Sequence, residues 1–138
     1  MTVGRVYCWD VNPALELGGT VHTELVDLPR LDHPRALCGR HVAVRNAGFL
    51  PGPTHDAPAT AIGDAAPDAS DSYAFDPAGG GPRLDRGPIT DAAILDRGVH
   101  ASRFGEVNTY FHLDRIAAYV DRFLKDLMKN AKIEKKLE

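Results

Sequence analysis

The chain has 138 residues and a net charge of −3, a length that suits one domain and a balance that points to neither nucleic acid nor a strongly acidic partner. Its 13 glycines and 10 prolines, about a sixth of the chain, call for many turns and few long elements. No apolar run approaches the ~18 residues of a membrane helix, and the start, MTVGRVYCWDV, lacks the charged-then-apolar layout of a secretion signal, so a secreted parent would carry its signal elsewhere.

In chain order, GRVYCWDV is rich in strand formers (Val3, Val6, Tyr7, Trp9, Val11), and NPALELGG reads as the turn after it. TVHTELVDL alternates, with Val21, Thr23 and Leu25 on one face against His22, Glu24 and Val26, the pattern of a half-buried strand. LPRLDHP breaks that run with Pro29 and Pro34. Val42 and Val44 then alternate with Ala43 and Arg45 in a third strand. Connections across residues 3–48 are too short for crossover helices, so the three strands are expected to be antiparallel. Residues 50–90 hold most of the prolines and the run Gly79-Gly80-Gly81, and they read as long loop, ordered or in part disordered. SYAFD is the strand candidate there, with Tyr73 and Phe75 on one face to pin the loop to the core. ITDAAILDRG is expected to form a helical turn or two, from a Thr90 cap to Gly98.

A long helix follows, capped by Ser102, with Glu106 near enough to support its first turn. Val107, Tyr110, Phe111, Leu113, Ile116, Ala117, Val120, Phe123, Leu124 and Leu127 form an apolar stripe at the 3.6-residue period; Asp114, Arg115, Asp121 and Arg122 fall mostly off it. Thirty-odd residues at 1.5 Å rise reach ~50 Å, longer than a domain of this size is wide. Phe111, Ile116, Val120 and Phe123 are expected to pack on the sheet. The fold class that results is α+β, a small antiparallel β-sheet with long loops packed against one long C-terminal α-helix.

All five lysines (Lys125, Lys129, Lys132, Lys135, Lys136) lie in the last fourteen residues, after 124 residues with eleven arginines and no lysine. The switch divides the chain into 1–124, a β-rich body with the start of the long helix, and 125–138, a lysine-rich helical tail. That tail is either of separate, expression-derived origin or a native solvated helix end, where lysine suits the C-terminal dipole. Its Leu127, Met128, Ala131 and Leu137 lie beyond the reach of a small sheet. They need a second chain or stay exposed.

FGEVNTYFHLDRIAAYVDRFL resembles the first long helix in the catalytic region of fungalysin-type and related thermolysin-like zinc metallopeptidases, through Asn108, Tyr110, Phe111, His112, Asp114, Arg115 and Tyr119. GRVYCWDVNP is similar to the Val-Tyr-x-x-Asn-Pro start of the same region, and SDSYAFDP to the acidic-aromatic-proline segment before that helix. The resemblance spans most of residues 3–124 and implies a secreted parent whose zinc, and in some cases calcium, is held elsewhere. Such peptidases need His-Glu-x-x-His on a helix to hold zinc and activate water. This chain has only HTE at 22–24 and HLD at 112–114, neither of which sets two histidines at i and i+4. The catalytic part would lie downstream, and no cofactor or catalytic residue is expected in this chain.

The remaining chemistry-bearing residues read modestly. His22, His33, His41, His55, His100 and His112 are scattered, whereas zinc needs three or four that converge. His112 is expected to be a helix side chain bonded to a loop carbonyl. Asp56, Asp64, Asp68, Asp71 and Asp76 offer oxygen ligands for calcium but lack EF-hand spacing, which favours a solvated acidic loop. Cys8 closes the first strand and Cys38 opens the third. If those strands are neighbours, the pair forms a disulfide worth ~3–4 kcal/mol for a loop of about thirty residues, as a secreted relative permits; otherwise both are buried thiols. Two functional classes follow. The chain is a structural segment supporting a peptidase cleft supplied by missing downstream sequence, or a stand-alone β-rich module that binds a protein, or another copy of itself, through its helix. Neither class involves nucleic acid or a membrane.

Overall fold

The computed structural model describes residues 1–7, 23–50, 52, 54, 56–75, 77 and 91–137, with side chains described from 98 to 132 in the last span. Among the described residues, five short strands precede one helix: β1 (Val3–Tyr7), β2 (Thr23–Asp27), β3 (Phe49–Leu50), β4 (Thr60–Ala61), β5 (Ser72–Tyr73) and α1 (Asp91–Leu137). The architecture is α+β, with a small sheet against a long C-terminal helix, as the sequence leads one to expect.

β1 is the central strand. β2 pairs with it antiparallel, from Val3 opposite Asp27 to Tyr7 opposite Thr23. β5 pairs on the other edge in parallel, with Val3 opposite Ser72 and Gly4 opposite Tyr73. The sheet is therefore mixed. Its third strand comes from residues 72–73 because the long connection after β2 leaves room for a parallel return, which a tight turn does not. β3 and β4 form a separate antiparallel pair. In β2, Val26 packs against the core and Leu25 faces out, the reverse of the face that alternation from Val21 suggests. Trp9, the turn after it, His22, the Gly79–Gly81 run and the Thr90 cap lie outside the described residues.

Residues 42–45 do not form the expected strand. The chain folds back on itself: Gly39 N donates to Val42 O and Val44 N to Leu37 O, both at 2.9 Å, and Cys38 bridges Ala43. The alternation is still used, since Val42 and Val44 both pack on the core. What differs is the partner of the backbone, which is the chain's own preceding turn. Tyr73 is fully buried and Phe75 packs beside it, so this pair does anchor the loop before the helix.

α1 is one unbroken helix of 47 residues, about 70 Å long at 1.5 Å per residue. Gly98 and Gly105 lie inside it, and Ser102 is not its N-cap. Glycine lowers helix stability by only ~1 kcal/mol, which tertiary contacts override. Ser102 instead accepts a hydrogen bond from Asn46 Nδ2 at 2.7 Å. The core joins Val6, Leu28, Leu37, Ala65, Tyr73, Val107 and Tyr110. Helix and sheet meet closely at Gly4, where a Cβ would sit 2.5 Å from Val107 Cγ1 and 3.0 Å from Leu28 Cδ2. No helix among the described residues is long and apolar enough to cross a membrane.

Candidate functional site

The helix carries two distinct faces. Phe104, Glu106, Val107, Tyr110 and Asp114 are buried against the body. Leu113, Ile116, Tyr119, Val120, Phe123, Leu124, Leu127 and Met128 are between 44% and 70% exposed. At 3.6 residues per turn the centres of the two sets lie roughly 125° apart. The expectation that Ile116, Val120 and Phe123 pack on the sheet is therefore overturned. Phe111 alone of that group touches the core, half-buried. The single stripe expected from periodicity is split: Val107, Tyr110 and Phe111 pack on the body together with Asp114, which was expected off the stripe, while the members from Leu113 onward turn away from it.

That polar side is held by specific bonds. Glu106 reaches across to two loops: Oε1 accepts from Ala65 N at 2.9 Å and Oε2 from Asn46 Nδ2 at 3.1 Å. Asn108 Oδ1 accepts from Tyr7 N at 2.9 Å, and His112 Nε2 lies 3.2 Å from Tyr7 O. One helix turn thus satisfies both backbone groups of the last residue of β1, much as a neighbouring strand would. Burial lowers the pKa of His112, against the raising effect of its bond to Tyr7, so the ring donates to the carbonyl in its neutral form. The reading of His112 as a helix side chain bonded to a backbone carbonyl agrees with this placement.

Asp114 is completely buried, and its Oδ2 accepts from both Arg30 Nε and an Arg30 terminal nitrogen. Arg30 sits at φ 59, in the left-handed region that a non-glycine residue seldom adopts. Tyr110 donates its hydroxyl to Pro29 O at 2.7 Å, and Tyr73 donates to Pro34 O at 2.9 Å. The two tyrosines, from the helix and from β5, thereby clamp the two ends of the 29–34 turn. Gly39 completes the clamp: a methyl group there would overlap the Arg30 carbonyl oxygen and the Tyr110 hydroxyl.

Burial raises both tyrosine hydroxyls from the usual 10.0 to about 12, with Asp114 adding to the rise at Tyr110. The folded state thus holds these protons more tightly than the unfolded chain does. Their stabilisation is complete below pH 10 and is lost as pH climbs toward 12. Absorbance titration is expected to show Tyr73 and Tyr110 ionising together with unfolding rather than near pH 10. A titration with every tyrosine ionised by about pH 10.5 in a still-folded protein would rule this out.

The other motif residues are at the surface. The Arg115 guanidinium lies 5.3 Å from the Phe111 ring centroid, and Tyr119 stacks on Phe123 at 6.4 Å. Of the seven residues that carry the metallopeptidase resemblance, Asn108, Tyr110, Phe111, His112 and Asp114 thus touch the body, through the bonds above or, for Phe111, by packing on the core. Arg30 as the partner of Asp114, and Asn46 and Ala65 as the partners of Glu106, were not legible, because sequence separations of 41 to 84 residues leave no spacing signal.

Among the acidic residues, Asp64 accepts from Asn46 N and Arg45, and Asp68 from Ser70 and Ser72; these bonds lower both pKa values. They are turn-fixing acceptors at the surface, and Asp76 lies outside the described residues. Among the described residues no group of three His, Cys, Asp or Glu side chains comes together to hold a metal ion. Cys38 is a free thiol, 3.7 Å from Asp32 Oδ2. Cys8 lies outside the described residues, so the Cys8–Cys38 disulfide gains no support. No protein-family model, curated protein or solved structure matches this chain, and its geometry alone bears on its function.

Proposed function

We propose that this chain is a non-catalytic structural segment that works by presenting the exposed apolar stripe of α1 to further polypeptide. One observation carries the reading: seven large apolar side chains, Leu113, Ile116, Tyr119, Val120, Phe123, Leu124 and Leu127, stand about half exposed or more on a helix face that the body leaves uncovered among the described residues. A contiguous patch of this kind marks an interaction surface far more often than a solvent face. The polar groups of the same helix support the non-catalytic part, because Glu106, Asn108, Tyr110, His112 and Asp114 are engaged in holding the helix to the sheet.

The metallopeptidase resemblance of Asn108 to Tyr119 adds a setting. In it, the segment supports the cleft of a secreted zinc peptidase whose zinc ligands and catalytic base lie in downstream sequence. The purified chain, supplied with zinc and calcium, is then expected to leave casein and fluorogenic peptides uncleaved. Turnover that copurifies with the chain and disappears on chelation would refute the non-catalytic reading. A parent reading frame with His-Glu-x-x-His downstream supports the setting, and one without it removes the setting while leaving the docking surface.

A further inference from the structure

We infer that the stripe of α1 is covered by a second copy of this chain running antiparallel, with Arg115 of each copy facing Asp126 of the other. The inference rests on the reading of the stripe as a docking surface and names its occupant. Leu113, Ile116, Val120, Phe123 and Leu127 recur at alternating steps of three and four, the seam spacing of paired helices, and the next seam position is Asn130.

Charge selects the direction. Along the Tyr119 side of the seam, Arg115 and Arg122 lie toward the body and Asp126 lies toward the helix end. An antiparallel partner that sets Val120 opposite Phe123, Ile116 opposite Leu127 and Leu113 opposite Asn130 brings Asp126 to within about two residues of both Arg115 and Tyr119 of the other copy. A parallel partner would set Asp126 against Ala131 and Tyr119 against Leu124, with no charge to meet.

Size and access agree. If full burial of such a side chain removes ~60–120 Å², seven that are about half exposed offer ~200–400 Å² per copy. Flanking stems of Arg115, Arg122 and Asp126 bring a symmetric pair to ~600–1,000 Å² in total, at the small end of specific interfaces. Such a pair is a micromolar one rather than an obligate dimer. Toward the body the same face continues as Thr109, Gly105 and Ala101, all exposed, so the partner's helix end has an open track. Among the described residues the deepest body contacts, Val107, Tyr110 and Asp114, lie roughly 100° or more from the seam, while Asn108 and His112 bring Tyr7 closer to it on the Tyr119 side.

Sedimentation of the full chain over ~1–100 µM tests this, with an apolar fluorescent dye as a second probe. A monomer–dimer equilibrium is expected. Val120→Asp is expected to abolish the dimer without lowering the melting temperature of the dilute monomer, since Val120 is 44% exposed. Arg115→Asp and Asp126→Arg should each weaken it about tenfold, and the double exchange should restore it to within a few-fold of the parent. A dimer indifferent to Val120→Asp, a higher oligomer, or a double exchange no better than the singles would overturn the antiparallel pair. A chain still monomeric at ~100 µM overturns it too. If that monomer binds the dye and Val120→Asp does not, the docking-surface reading survives; if neither binds, both fall.

Discussion

Arg30→Ala is expected to destabilise the fold by about 3 kcal/mol, the penalty for leaving a buried charge without its partner. Asp114 has no solvent exposure, and its Oδ1 has no hydrogen-bond partner among the described residues, so Oδ2 and Arg30 bear the whole compensation. Arg30 itself keeps 38% of its side chain exposed, which places the effect at the low end of the range for buried pairs. Arg30→Lys should recover only part of the loss, because an ammonium cannot reproduce the two-nitrogen grip on one oxygen. Arg30→Gly should be milder than Arg30→Ala by about 1 kcal/mol, since glycine accepts the positive φ without strain. Denaturant melts of the three variants supply the test. An Arg30→Ala protein within ~0.5 kcal/mol of the parent would mean that the ion pair contributes nothing to holding the helix.

Tyr110→Ala should cost about 3–5 kcal/mol, the range for emptying a fully buried aromatic site. Tyr110→Phe keeps the ring and loses only the bond to Pro29 O, for about 1–2 kcal/mol. Phe123→Ala, by contrast, should change the melt of the dilute monomer by less than ~0.5 kcal/mol, because Phe123 stands 53% exposed on the stripe. All three are large-to-small or isosteric changes on one helix, so they separate its two faces directly. If Phe123→Ala proved as damaging as Tyr110→Ala at every protein concentration, the stripe would be part of the body's own core.

The two sets of expectations divide along a physical line. Residue order by itself determined what depends on local pattern: strand formers at Val3–Tyr7 and Thr23–Asp27, the turn at Pro29 to Pro34, Tyr73 and Phe75 as an anchoring pair, and a long helix with an apolar stripe. Each of these is written in spacings of one to four residues, the range over which backbone geometry dictates which side chains share a face.

Only the tertiary structure decided which face meets what. The stripe of Ile116, Val120 and Phe123 is the more apolar side of α1, yet the body docks on Val107, Tyr110 and Asp114, where a small set of rings is supplemented by bonds to Tyr7, Pro29, Arg30 and Ala65. Hydrophobic period reports that a helix face wants cover and is silent on which surface covers it. Likewise Ser102 carries a sound cap chemistry but is used by Asn46, and the helix runs through Gly98 and Gly105 from Asp91. Val42 and Val44 alternate like a strand but pair with their own turn. In each case a weak local preference, worth about 1 kcal/mol or less, yielded to contacts between residues some forty or more positions apart or to a tighter backbone alternative.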